Sequence, residues 1–302
     1  MGPAGHHARF GELLTAMVTP FDPAGALELA EAQHLARWLV DHGTRGLVVS
    51  GTTGEGPTLS DKEKYSLWRA VAEAVEVPVL AGAGTNDTLH SVELARKAAK
   101  AGVDGLLVVT PYYNRPSQAG LRRHFEAVAA ATDLPVMIYD IPVRTGRAVA
   151  LETMVELASS VETVVAVKDS TKDPARAARL HALTPSNFEI YCGDDDLALP
   201  MLAVGAVGVV SVAAHWAGRE MAEMLTAFSK GDLVVSKTML ARLLESFAFE
   251  SSDAFPNPLP AKAACRALGL AVGQCRDPLG PAPDALDLAA RGVLERLGAT
   301  VG

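Results

Sequence analysis

The sequence predicts an α/β fold: a (β/α)8 barrel with an appended C-terminal helical subdomain. Three observations carry this prediction. Short β-rich runs alternate with amphipathic segments eight times over roughly 200 residues, the spacing of a barrel built from βα units. The run Val164-Val165-Ala166-Val167 is continuously apolar, as a strand covered on both faces of a parallel sheet usually is. No Gly-x-Gly-x-x-Gly follows the first run, which argues against a doubly wound dinucleotide-binding sheet.

In chain order the expected strands are Leu13–Pro20, Gly46–Gly51, Pro78–Gly82, Gly105–Thr110, Pro135–Asp140, Val164–Asp169, Glu189–Gly193 and Gly208–Val212. Between them, Ala26–Asp41, Asp61–Val75, Asp87–Ala101 and Gln118–Thr132 carry apolar residues at helical spacing. Ser60 with Glu63 three residues on has the form of a capping box. His42-Gly43 and Ala101-Gly102 mark helix ends, because glycine tolerates the left-handed closing residue. From about Trp216 onward the chain reads as helices, broken by Phe255-Pro256-Asn257-Pro258-Leu259-Pro260. That stretch exceeds one barrel helix, so the expected division is a catalytic barrel over 1–231 and a helical subdomain over 232–302.

Composition excludes several classes of function. The chain has 302 residues, 49% hydrophobic, ample for one large core. Its formal net charge is −8 and no run of Lys or Arg occurs, which argues against nucleic acid or an anionic membrane as partner. Cys192, Cys265 and Cys275 form no CxxC and cannot all pair, so a reduced, cytoplasmic setting is expected. Met1–Phe10 lacks the apolar core of a signal peptide and no long apolar span occurs, so a soluble chain is expected.

In a barrel of this kind the active site lies at the C-terminal ends of the strands. Those ends carry Thr52-Thr53, Tyr112-Tyr113, Tyr139 with Arg144 beyond it, Lys168, and Gly193-Asp194. Lys168 closes the apolar run Val164-Val165-Ala166-Val167, where desolvation can lower an ammonium's pKa and expose a nucleophilic amine. A neutral lysine amine adds to a ketone carbon and opens Schiff-base chemistry. The competing reading is a plain ion pair with Asp169. Tyr139 shares a strand face with Met137 and serves either as core packing or as a proton carrier. If the chain is extended at Tyr112 and Tyr113, only one of them faces the mouth.

Gly51-Thr52-Thr53-Gly54-Glu55-Gly56 is either a tight βα turn or a cradle for a carboxylate or phosphate. It lacks the Lys-Ser/Thr of a nucleotide-binding P-loop. Arg144 is either a solvated loop residue or a bidentate partner for a carboxylate. Asp194-Asp195-Asp196 with His215 invites a metal reading, but three consecutive residues cannot all face one ion and helix capping accounts for them equally well. His6-His7 carry no metal expectation either. No metal is expected.

Taken together, the motifs resemble those of the pyruvate-dependent class I lyases, and within them the dihydrodipicolinate synthase family. The motifs are Gly51-Thr52-Thr53-Gly54-Glu55, Thr110-Pro111-Tyr112-Tyr113-Asn114 with Pro116, Tyr139-Asp140-Ile141-Pro142-Val143-Arg144-Thr145-Gly146, Val167-Lys168-Asp169 and Gly193-Asp194-Asp195. The resemblance runs nearly end to end. It implies that Lys168 forms the imine with pyruvate. Tyr139, Thr52 and Tyr113 would relay protons, one tyrosine coming from an adjacent subunit, with Tyr112 as an interface residue. Thr52 and Thr53 would hold the pyruvate carboxylate, Arg144 would orient that of L-aspartate 4-semialdehyde, and the backbone of Gly193 and Val210 would line the pocket. No cofactor is implied, and a homotetramer built as a dimer of dimers is.

Two departures follow from the same comparison. Gly56 stands where many synthases carry serine. Lysine-inhibited members have a glutamate at the position of His90 and imidazoles near Asp61 and Lys64, so weak or absent inhibition by lysine is expected here. Three other readings remain open on the sequence: another Schiff-base pyruvate aldolase or dehydratase acting on a hydroxy-oxo acid or sugar acid, a non-catalytic keto-acid sensor, and a metal-dependent aldolase.

Overall fold

The computed structural model describes residues 8–250, 252–299 and 301, so His6 and His7 lie outside the described residues. Eight parallel strands close into one barrel in chain order: β1 (Leu13–Ala16), β2 (Gly46–Val49), β3 (Val79–Gly82), β4 (Gly105–Val109), β5 (Val136–Asp140), β6 (Val164–Asp169), β7 (Glu189–Cys192) and β8 (Gly208–Ser211). Helices α1 (Leu29–Asp41), α2 (Asp61–Ala72), α3 (Thr88–Ala101) and α4 (Gln118–Ala129) follow the first four strands. The single turn α5 (Pro142–Thr145) comes after β5, then α6 (Leu151–Ser160), α7 (Pro174–Leu183), α8 (Ala198–Ala203) and α9 (Ala214–Ser229). Beyond these lie α10 (Leu233–Phe249), α11 (Leu259–Ala267) and α12 (Asp284–Leu297).

Two apolar layers hold this arrangement. Leu14, Val48, Leu80, Leu107, Met137 and Ala166 pack inside the barrel with Phe10 and Tyr191. Their strand neighbours face outward and pack with the helices, which explains strands buried on both sides. The Tyr191 hydroxyl donates to Glu189 Oε2 at 2.8 Å and accepts from the Phe10 N–H at 3.2 Å, so this buried polar group has partners.

One irregularity decides where the chemistry points. In the β5–β6 ladder Val136 pairs with Val164, but Met137 pairs with Ala166, leaving Val165 as an extra residue. An extra residue reverses the in–out alternation beyond it. Val136 and Val164 therefore both face the helices, while Tyr139 and Lys168 face each other's register position from inside. The next pair, Asp140 and Asp169, faces out.

The expected elements appear with shifted ends. Strand β1 stops at Ala16, because the Val18 N–H donates to His215 Nε2 at 3.1 Å and not to a strand. Helix α1 begins at Leu29, after a loop closed by Asp22 Oδ1 accepting from the Ala26 N–H at 2.8 Å. The Ser60–Glu63 capping box is present at α2, and Gly102 closes α3 with φ +80. After Trp216 the chain is not helical throughout: an irregular segment joins α11 to α12, as Gly269, Gly273, Pro278, Gly280, Pro281 and Pro283 dictate. Among the described residues no helix is long and apolar enough to cross a membrane.

Candidate active site

The Lys168 side chain is 5% exposed, and its Nζ lies 4.3 Å from the centroid of the Tyr139 ring. Both line a cavity of about 970 Å³ at the C-terminal end of the barrel, with Thr52, Thr53, Arg144 and Gly193. A second cavity of about 250 Å³ opens beside it and shares Thr52, Tyr139 and Arg144 with the first. One amine, one phenol, a threonine pair and a guanidinium thus converge on one mouth.

Gly193 is required where it stands. A Cβ there would meet Ser170 Oγ at 2.0 Å and Lys168 Cε at 3.0 Å, so a side chain would force the Ser170 hydroxyl aside and press on the lysine stem. The Thr52-Thr53 turn is equally constrained. It closes through Glu55 N–H to Thr52 O at 3.1 Å and Gly56 N–H to Gly51 O at 3.0 Å. Ser50 and Glu55 hold left-handed backbone (φ 56 and 54), the kind of strain that persists where surroundings over-determine a functional turn. A Cβ at Gly56 would lie 2.3 Å from Ser50 O, so this backbone path leaves no room for a side chain here.

Those surroundings come from the far end of the chain. Asn257 Nδ2 donates to Thr53 Oγ1 at 2.9 Å. Lys262 Nζ lies 2.8 Å from Glu55 Oε1, both side chains fully buried, and also donates to Gln274 O at 2.8 Å. The Arg276 N–H donates to Glu55 Oε2 at 2.8 Å.

Residues 9–296 match the model of the Dihydrodipicolinate synthetase family. The chain belongs to that family. It is 48% identical over 273 residues to the 4-hydroxy-tetrahydrodipicolinate synthase of Moorella thermoacetica, covering 90% of this chain and 92% of that one. It is 51% identical over 276 residues to the enzyme of the same name from Acidothermus cellulolyticus, covering 90% and 87%. The crystal structure of the Cyanidioschyzon merolae enzyme with lysine bound superposes with a TM-score of 0.93 at 39% identity, covering 96% and 99%.

Within this dihydrodipicolinate synthetase frame, the residues expected from sequence fall in four places. Lys168, Tyr139, Thr52, Thr53, Arg144 and Gly193 gather on the large cavity. Tyr112 lines the smaller one, half-buried, and burial pushes its phenol above the ordinary range. Tyr113 turns away, 91% exposed with φ 72, and within one chain it is not brought to Lys168. Val210 is buried deeper in the barrel interior, in the cluster with Tyr139 and Ala166.

The remaining polar motifs have structural partners. Asp195 Oδ2 accepts from the Val212 and Ala213 N–H groups at 2.9 and 2.8 Å. His215 holds Val212 O at 2.8 Å through Nδ1 and Val18 N–H at 3.1 Å through Nε2, so neither ring nitrogen is available to a metal. Asp194 lines the large cavity near Lys172 (3.4 Å), and burial raises its carboxyl pKa. Asp61 joins His90 at 2.9 Å and Lys97 at 2.7 Å, while Lys64 is buried on the wall of the small cavity.

Sequence reading gives no individual role to Asn257, Lys262, Glu55 or Arg176. One signal was present: Lys262 is the cation within the otherwise apolar start of α11, Leu259-Pro260-Ala261-Lys262-Ala263-Ala264. That pattern resembles Lys168 itself, a lysine placed among apolar residues where burial is costly.

Proposed function

We propose that this chain condenses pyruvate, held as an enamine on Lys168, with L-aspartate 4-semialdehyde to give 4-hydroxy-tetrahydrodipicolinate. The observation that carries the reading is the Lys168 amine 4.3 Å from the centre of the Tyr139 ring, on the same cavity as the Thr52-Thr53 turn and Arg144. The shared name of the curated relatives supports the same substrates.

The steps follow from what these groups can do. The Thr52-Thr53 turn holds the pyruvate carboxylate, and the neutral Lys168 amine adds to the ketone carbon. Loss of water gives the imine, with protons carried by the Tyr139 and Thr52 hydroxyls. Loss of a methyl proton gives the enamine, whose terminal carbon attacks the aldehyde carbon while the aldehyde oxygen takes a proton. Arg144 holds the semialdehyde carboxylate through parallel hydrogen bonds. The semialdehyde's amine then adds to the imine carbon and expels the Lys168 amine, closing the ring. Holding two small substrates together accounts for much of the rate. Tyr113 completes the relay from an adjacent subunit, in a homotetramer.

Borohydride added with pyruvate should fix a secondary amine on Lys168, read by peptide mass. Arg144→Ala should still trap pyruvate yet lose about tenfold to a hundredfold in kcat/KM for the semialdehyde, the worth of a charge-assisted hydrogen bond. An absent adduct ends the Schiff-base reading. An adduct with no turnover of the semialdehyde points instead to another Schiff-base pyruvate aldolase or dehydratase, acting on a hydroxy-oxo acid or sugar acid.

A further inference from the structure

Lys168 and Tyr139 are each followed by an aspartate that faces the opposite way, toward the helices. Asp140 and Asp169 form the last pair of the β5–β6 ladder, and both side chains are fully buried. Beyond them a single backbone bond, Ser170 N–H to Asp140 O at 2.9 Å, still joins the two chains before they part toward α5 and the loop after Ser170. Two adjacent buried carboxylates would push the strand ends apart. Between them lies Arg176, in the first turn of α7.

Its contacts account for both acids. Arg176 Nη1 donates to Asp169 Oδ2 at 3.0 Å, and Nη2 donates to Asp140 Oδ2 at 3.2 Å and to Val149 O at 2.8 Å. The other oxygens are also held. Asp140 Oδ1 accepts from the Val149 N–H at 3.2 Å, and Asp169 Oδ1 accepts from the Thr171 N–H at 2.9 Å and its hydroxyl at 2.7 Å. We propose that Arg176 is a positioning residue: one planar guanidinium ties the open ends of β5 and β6 and so fixes the Tyr139 hydroxyl relative to the Lys168 amine. The inference rests on the proposed reaction for what that pair does.

The planar fork is what matters, because a guanidinium reaches both carboxylates from fixed directions while an ammonium is a single point. Strand ends held by backbone bonds alone, with two buried carboxylates between them, let the lysine and tyrosine drift, and a misplacement of about 1 Å can cost about a hundredfold in rate. The α7 start is itself fixed, with Asp173 Oδ1 accepting from the Arg176 N–H at 2.9 Å, so the side chain leaves from a set position.

The test uses Arg176→Lys, which keeps the positive charge the two acids need, beside the Asp140→Asn/Asp169→Asn double variant, which removes what Arg176 holds. Pyruvate is mixed with each folded protein, quenched with borohydride at increasing times, and the Lys168 adduct measured. Both should form the imine about tenfold to a hundredfold more slowly than wild type. KM for pyruvate should move less than about twofold, because the Thr52-Thr53 turn is untouched. Wild-type trapping rates in Arg176→Lys overturn the proposal, as does a loss matching only the unfolded fraction. If wild type itself traps no pyruvate, the reaction falls separately. The clamp is then read from acetylation of Lys168 by acetic anhydride relative to exposed Lys62, which should change in Arg176→Lys; an unchanged ratio overturns it.

Discussion

His124 and His215 are buried as neutral imidazoles, and desolvation lowers each pKa from 6.5 to about 4. The unfolded chain takes up protons near pH 6.5 that the folded chain refuses until about pH 4. Their stabilisation is therefore complete above pH 6.5 and is lost as pH falls toward 4. Asp140 acts with the opposite sign, since burial raises its carboxyl to about 7 and its contribution weakens as pH rises from 3.8 to 7. The histidine effect is isolated by comparison with His124→Phe, whose melting temperature should fall less steeply than wild type between pH 6.5 and 4. Equal slopes would show that His124 is protonated in the folded state. At this scale sequence finds a residue when its chemistry is out of place locally: Lys168 ends an apolar run, and Tyr139 stands one strand before it. It does not find direction. Alternation counted from outward-facing Val164 sends Lys168 outward, and only the extra residue at Val165 turns it in.

Helix α11 reaches the turn after β2 through one buried ion pair, Lys262 with Glu55. The Lys262 ammonium also lies 4.2 Å from the centroid of the Phe21 ring, and burial lowers its pKa. Removing one partner of such a pair strands the other charge, which typically costs about 3–5 kcal/mol. Lys262→Met should lose that much stability in denaturant unfolding, and Lys262→Met with Glu55→Gln should recover a large part of it. A single variant within about 1 kcal/mol of wild type would mean that Glu55 finds another partner. The elements themselves are legible because each strand is a short apolar run bounded by turn residues. Their joining is not: Asn257 and Thr53 are 204 positions apart, and nothing in either local pattern names the other. The segment between α11 and α12 follows its glycines and prolines more than its length.

Across the whole molecule, the residue out of place is Tyr113. A large aromatic side chain 91% exposed, on backbone of positive φ, is held outward at a cost that a lone chain has no use for. If it completes a neighbour's relay, Lys168→Ala and Tyr113→Ala chains should each be nearly inactive alone. Mixed under subunit exchange, they should regain measurable turnover in a coupled assay, because some sites then pair an intact lysine with an intact tyrosine. A mixture as inactive as its parts would place Tyr113 outside the relay. The buried ion pair carries a consequence of another kind, in time. Glu55 leaves the ribosome long before Lys262, so a growing chain can possess every barrel strand and Lys168 while the turn proposed to receive pyruvate still lacks its ammonium support. On the proposed reaction, competence arrives with α11, and a chain cut short before it is a barrel whose Thr52-Thr53 turn has lost the ion pair beneath it.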